Sequence, residues 1–332
     1  MPKDKKFLAD FFLDDRMFDE FNLKVNEAHP VRSVFVLTTN QGIKILKKVK
    51  YPLEDLEFIY NSLNKIRENY PYVINFRLTK EGKPYLIYND EVYVVLDCVE
   101  GREALYQNPL DLKNVAMALA KFHEASKDIG YYDKKSLVGK MVERLLNRIK
   151  DLEKFKEIAN MHYYKTEFDK IFLENVDINI EKSKEAVDYL KGTQDRHIKD
   201  YVFCHHDLAH HNVLMGNDDN VYFLDFDLCI LDTRVHDLAN FINKALKDNA
   251  FTIETINIIL DNYNKISKLT KEEINILYAY LLFPKDFYDI SRDYYLRTKQ
   301  WDEGEYVEKL IRKAAYKDDK DRVLKSFKKI WL

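Results

Sequence analysis

The densest run of reactive side chains in the sequence is His205-His206-Asp207-Leu208-Ala209-His210-His211-Asn212, followed by Asp225-Phe226-Asp227. An aspartate beside an acceptor hydroxyl can orient it and take its proton. An asparagine and a second aspartate offer the hard oxygen donors that Mg²⁺ prefers, leaving its other positions to phosphate oxygens. Asp225 stands thirteen residues after Asn212, just enough for a tight hairpin to bring the two arms together. The chemistry such a set serves is transfer of a phosphoryl group.

Other readings compete. Asp and Asn commonly cap turns at strand ends. Histidines 205, 206, 210 and 211 invite a zinc site, but a strand-like run leads straight into them, so they lack the helical setting of H-E-x-x-H. The pairs His206-Asp207 and His236-Asp237 resemble the dyad of a metal-dependent phosphohydrolase, which needs a helix where Tyr201 to Cys204 reads as strand.

The elements that would position these residues change along the chain. Phe21 to Val25, Ser33 to Thr39, Gly42 to Val49 and Val73 to Leu78 are short runs rich in β-branched and aromatic residues, with Asn40-Gln41-Gly42 as a hairpin turn. Leu53, Leu56, Tyr60, Leu63 and Ile66 recur at helical spacing, and Glu91 to Val99 reads as a buried strand before the break Glu100-Gly101-Arg102. Beyond it the period is helical. Asp111 is the expected N-cap of a helix bearing Leu112, Val115, Leu119 and Phe122; further helices are expected over 142–158, 167–190, 252–266, 271–282 and 306–315. One island interrupts them, with strand-like runs at 201–204, 212–215 and 221–226 and a polar turn at 216–220.

Composition narrows the classes. The 332 residues are 46% hydrophobic and 33% charged, the balance of a globular protein and not of a disordered one. Eight glycines, no two closer than nine positions, exclude G-x-G-x-x-G and the Walker A loop. A net charge of -3 argues against a nucleic-acid partner. Three cysteines, Cys98, Cys204 and Cys229, with no C-x-x-C pair, favour a reducing compartment. No run approaches a membrane span, and the first apolar stretch is cut by Asp10, Asp14 and Asp15, so neither a signal peptide nor a membrane partner is expected.

Against the kinase catalytic loop H-x-D-x-x-x-x-N, His205, Asp207 and Asn212 fall in register. The chain resembles the aminoglycoside phosphotransferase and choline kinase group of the kinase-like fold, and more narrowly the CotS family of spore coat proteins. The narrower likeness rests on CHHDLAHHNVL with FLDFDLCILDTRVHDLANFI, on VVLDCVEGRE followed by ALAKFHEAS, and on FPKDFYDISRDYY, and covers residues 20 to 310. It implies an α+β, two-lobed fold: a small β-rich N-lobe over residues 1–98 that binds nucleotide, and a large, mainly helical C-lobe over 99–332 with the catalytic loop and acceptor pocket.

Carried over residue by residue, the resemblance makes Asp207 the base, Asn212 and Asp225 the Mg²⁺ ligands, and Lys47 the lysine reaching the ATP phosphates. Alternation places Ile43, Ile45 and Lys47 on one face, with Ile45 lining the adenine pocket; a one-residue slip would hand the role to Lys48. Glu57, or else Glu54, would hold that lysine by an ion pair. The stretch from Val94 to Val99, with Asp97 and Val99, would be the hinge whose backbone meets adenine, and Asp237 would brace the catalytic-loop backbone.

The resemblance further implies ATP and Mg²⁺ as cofactors, a small hydroxyl- or amine-bearing acceptor, and cytoplasmic location in the mother cell with deposition among other spore coat proteins. Two departures stand out. Residues 26–35 (NEAHPVRSVF) hold no glycine-rich loop, and Asp227 replaces the glycine of D-F-G. These leave a second reading, a coat component with the kinase-like fold and little or no turnover.

Overall fold

The computed structural model describes residues 15–191 and 201–332. Asp10 and Asp14, which cut the first apolar stretch, lie outside the described residues. The chain forms two compact units that interleave in sequence. The first comprises the residues up to Ala104 with Asp128–Lys135 and Ala209–Cys229; the second comprises Leu105–Lys127, Ser136–Leu208 and Ile230–Leu332.

Among the described residues, the first unit holds a short helix α1 (Asp15–Asp19) and a five-stranded antiparallel sheet. Its strands are β1 (Val25–Val31), β2 (Val34–Thr39), β3 (Gly42–Val49), β4 (Leu86–Tyr88) and β5 (Glu91–Asp97), in the order β1-β2-β3-β5-β4. Helix α2 (Leu53–Arg67) follows β3. One side of the sheet closes on a core of Met17, Phe18, Phe21, Leu23, Leu37, Leu46 and Val95. Each fully buried Leu or Phe there contributes about 1.5–3 kcal/mol of apolar transfer. Two expected strands moved. Phe21 and Leu23 are core residues ahead of β1 and not part of it. Val73 to Leu78 makes only the single bridges Val73↔Phe223 and Phe76↔Leu96, because its apolar residues cover neighbouring strands without extending a ladder.

A short strand, β6 (Gly101–Glu103), pairs with a hairpin from late in the sequence. The chain enters the second unit, passes through β7 (Val202–Cys204), and returns with β8 (Val213–Gly216) and β9 (Val221–Phe223). The expected hairpin is thus present, in register Val213↔Phe223 and Met215↔Val221. Gly216 suits its place because an added Cβ would meet Tyr222 Cε2 at 2.7 Å.

The second unit is helical. Helix α3 (Pro109–Ala125) packs on α7 (Ile253–Asn264), after α4 (Met141–Met161), α5 (Glu167–Leu190) and α6 (Val235–Asp248) in chain order. Helices α8 (Lys271–Leu282), α9 (Lys285–Tyr295), α10 (Glu303–Ala315) and α11 (Lys317–Trp331) complete it. Strand β10 (Ile230–Asp232) pairs with β7. The α3 cap differs from expectation: Asn108 Oδ1 accepts from the Leu110 N–H at 2.9 Å, Pro109 takes the first helical position, and buried Asp111 accepts from the Leu105 N–H at 2.8 Å. Proline has no N–H to leave unsatisfied at that position, so the helix starts earlier than the Asp111 signal suggests. Helix α9 falls in a stretch whose charged residues mask its period, yet Phe287, Tyr288, Ile290 and Tyr294 are buried along one stripe.

Candidate active site

In the first unit the antiparallel register decides which lysine faces inward. Lys47 opposes Val94, and Ile45 opposes Leu96, so these four share one face; Lys44, Leu46 and Lys48 oppose Asp97, Val95 and Tyr93 on the other. Lys47 and Val94, with Leu96, Ile74 and Phe76, line a small apolar cleft that also touches Asp225 and Asp227. The Lys47 ammonium lies 2.9 Å from Asp225 Oδ1 and 2.7 Å from Asp227 Oδ2. Lys48 is on the face that carries Leu46 and Val95, near the end of β3, where it is half-exposed and paired with Glu91 at 2.7 Å, and that carboxylate raises its pKa.

Asn212 and Asp225 sit at the open end of the β8–β9 hairpin. The Leu224 N–H donates to the Asn212 carbonyl at 2.9 Å, which holds the two arms together one residue before Asp225. Asp225 has φ 61°, left-handed backbone that a non-glycine residue adopts only where its surroundings impose it. Asn212 is buried, whereas the Asp225 side chain is half-exposed.

The acidic partner expected for Lys47 is corrected. On α2 the inward stripe is Leu56, Ile59, Leu63 and Ile66, so Glu57 points outward and accepts from the Tyr85 hydroxyl at 3.4 Å, while Glu54 pairs with Lys134. The carboxylates that hold Lys47 are Asp225 and Asp227. Around Asp227 the structure adds three residues that sequence reasoning missed. The Tyr51 hydroxyl donates to Asp227 Oδ1 at 3.2 Å, Lys135 Nζ donates to the Asp227 carbonyl at 3.0 Å, and Asp55 stands 3.9 Å from Lys135. Burial, and next Asp227, push the Tyr51 pKa well up, so its hydroxyl stays a donor. No local signal marks these residues, because all three meet through the fold.

The hinge expectation also changes in detail. The Asp97 N–H is already taken by the Asn75 carbonyl at 2.9 Å, and its carboxylate faces Lys44 at 3.1 Å on the side of the sheet away from Lys47. Asp97 and Val99 line a separate open cleft with Arg67 and Asn75.

In the second unit the loop after β7 is braced from α6. Asp237 is fully buried, and its two oxygens accept the N–H groups of His205 and His206 at 2.7 Å each. His123 Nε2 lies 3.2 Å from the same carboxylate, with Nδ1 2.8 Å from the Tyr263 hydroxyl. Burial pushes the Asp237 pKa up, but the bond from His123 and the charges and amides around it outweigh this and hold it down to about 2. Asp207, half-buried, pairs with Lys244 of α6, another residue absent from the sequence reading.

Three of the four loop histidines meet different partners. His205 Nδ1 accepts from the Asp207 N–H at 3.2 Å, and His210 lies 3.7 Å from Glu103. His206 Nδ1 lies 2.8 Å from His236 Nε2, and His236 Nδ1 lies 2.7 Å from Asp232. Burial, and next His236, push the His206 pKa down to about 3. Among the described residues these four histidines form no metal-ligating group; the group with suitable spacing is His123, Cys204 and Asp237, where Asp237 is already committed to backbone amides.

The fold this describes is that of kinase-like phosphotransferases. The chain superposes on an aminoglycoside phosphotransferase from Alicyclobacillus acidocaldarius with a TM-score of 0.83 at 20% identity, covering 96% of each chain. A spectinomycin phosphotransferase solved with ADP and spectinomycin gives a TM-score of 0.68 at 16% identity, covering 94% of this chain and 95% of that one. The family match is more specific. Residues 14–327 match the model of the family described as "Spore coat putative kinase YutH", and the chain belongs to that family. Spore coat protein S of Bacillus subtilis (strain 168) is 26% identical over 92% of this chain and 89% of that protein. Among the described residues no helix is long and apolar enough to cross a membrane.

Proposed function

We propose that this protein is an ATP- and Mg²⁺-dependent phosphotransferase acting on a small hydroxyl- or amine-bearing acceptor in the setting of the spore coat. The observation that carries the reading is the Lys47 ammonium held between Asp225 and Asp227 at the mouth of an apolar cleft. Two carboxylates already gathered around a cation, with Asn212 at the same hairpin end, are the donor set that a hard divalent ion fits. In this reading Lys47 meets the phosphates, Ile45 and Leu96 cover adenine, and Val99 serves as hinge, since the Asp97 N–H is engaged. Asn212 and Asp225 hold Mg²⁺, which when bound neutralises charge on the phosphate oxygens.

Asp207 takes the acceptor proton as the acceptor oxygen bonds to the γ-phosphorus; the bridging P–O bond breaks and ADP leaves with its electron pair. The spectinomycin phosphotransferase of the same fold, solved with ADP, supports nucleotide use. The proposal divides the chain into a nucleotide-binding lobe, 1–98, and a catalytic and acceptor lobe, 99–332.

One observation favours the alternative of a coat component with little turnover. The β1–β2 connection is the two-residue turn Arg32-Ser33, with Arg32 at φ 52°, where a glycine-rich loop would approach the phosphates. A thermal melt separates the two readings. ATP with Mg²⁺ at about 100 times its dissociation constant stabilises the fold by about 2.7 kcal/mol, a shift of roughly 5 °C. The shift should vanish without Mg²⁺ and in Asp225→Ala. No shift with folded protein at millimolar ATP and Mg²⁺ overturns the phosphotransferase reading and leaves the coat component.

A further inference from the structure

The second unit contains a cavity of about 330 Å³ lined by residues of α4, α6, α9 and α11, with His206 and His236 on its wall. Its charge is one-sided: seven lysine and arginine side chains line it against two carboxylates, Asp286 and Asp289. Part of the positive charge is neutralised in place. Lys247 pairs with Asp286 at 2.6 Å, Lys285 pairs with Asp289 at 2.5 Å, and Lys244 pairs with Asp207. The last contact puts one wall of the cavity directly against the proposed base.

Arg144 and Arg148 differ from these. They lie one turn apart on α4, both half-buried, and among the described residues no carboxylate stands within 4.0 Å of either guanidinium. The Arg148 guanidinium lies 5.3 Å from the Phe283 ring centroid and 5.1 Å from that of Tyr288, which restrains it without neutralising it. Burial, and next the charge of Arg144, lower the Arg148 pKa, and outweigh the opposing pull of Asp289. Two adjacent guanidiniums present a planar donor array that matches phosphate or carboxylate oxygens. A cationic acceptor would meet the like charge of these two guanidiniums on the α4 wall.

We propose that the acceptor is anionic: a small hydroxylated compound whose phosphate or carboxylate group is gripped by Arg144 and Arg148 while its hydroxyl reaches Asp207 beside Lys244. This rests on the phosphotransferase reading for the reaction, but the preference of the cavity can be measured without turnover. Glucose 6-phosphate, glucuronate, glucose and glucosamine share a ring and differ in charge, and each is titrated by calorimetry into nucleotide-free protein at low ionic strength. Both anions should bind at least about tenfold more tightly than glucose or glucosamine, and the tighter anion tells phosphate from carboxylate recognition. Arg144→Gln and Arg148→Gln should each weaken anion binding about tenfold, with partial recovery in Arg148→Lys.

Anion binding without any ATP–Mg²⁺ shift would overturn the phosphotransferase reading and keep the cavity assignment. Glucosamine binding as tightly as either anion, no binding of either anion at about 10 mM, or unchanged anion binding in the folded double variant would overturn the anionic acceptor.

Discussion

Asp225 and Asp237 are both aspartates that meet positive partners, yet they hold opposite positions. Asp237 is fully buried in the second unit, and its oxygens are committed to two backbone amides and His123. Asp225 is half-exposed in the first unit, on left-handed backbone, and shares the Lys47 ammonium with Asp227. A buried carboxylate with a full set of donors fixes a shape, because removing it strands amides that water cannot reach. A half-exposed carboxylate facing a side-chain cation can exchange that partner for another ion. The comparison separates a carboxylate locked to backbone amides from one that meets side-chain cations.

The largest expected effect tests the chemistry end of this comparison. Asp207→Asn removes the proton acceptor and keeps the shape, so turnover with any accepted substrate should fall roughly 10²- to 10⁴-fold, while the ATP–Mg²⁺ melting shift stays. Full turnover in this variant would break the assignment of Asp207.

Asp237→Asn tests the scaffold end. It replaces a charged acceptor of two amides with a group that can serve only one oxygen, and should cost about 3 kcal/mol of stability by denaturant melt. The wild-type protein should show the same residue through pH. Its folded pKa of about 2 lies below the ordinary 3.8, so its contribution is complete above the unfolded value and is lost as pH falls towards 2. The part of the acid destabilisation between about pH 4 and 2 that Asp237 carries, roughly 2 kcal/mol, should be missing from Asp237→Asn. An unchanged acid limb would show that the brace does not bear on stability.

The smallest effect sharpens the exposed side. Lys47→Ala should weaken ATP–Mg²⁺ binding about tenfold by titration, and Lys48→Ala less than twofold, because Lys48 faces Glu91 on the other side of the sheet. Equal losses would mean that the lysine lodged between Asp225 and Asp227 is not the one that meets phosphate.

Much of the site was legible in local pattern. Strand alternation put Lys47 and Lys48 on opposite faces and left the choice between them to the register of β3, and the polar turn at 216–220 between two apolar runs already called for the hairpin that returns Asp225 to Asn212. The partner of Lys47 was not legible. Glu57 and Asp227 are both acidic residues near the right elements, and only the inward stripe of α2, set by Leu56, Ile59 and Leu63, turned Glu57 outward.

By itself, then, the sequence determined the periodic features: which residues alternate, where the chain turns, and the short-range spacing of Asp207, Asn212 and Asp225, because these depend on neighbours within a few positions. Tertiary structure alone decided which distant charges meet. Lys135 and Asp55 are eighty positions apart, and the cationic cavity draws on helices from α4 to α11. Periodicity encodes which way a side chain points relative to its own helix or strand; what stands opposite is set by how elements from remote parts of the chain pack against one another.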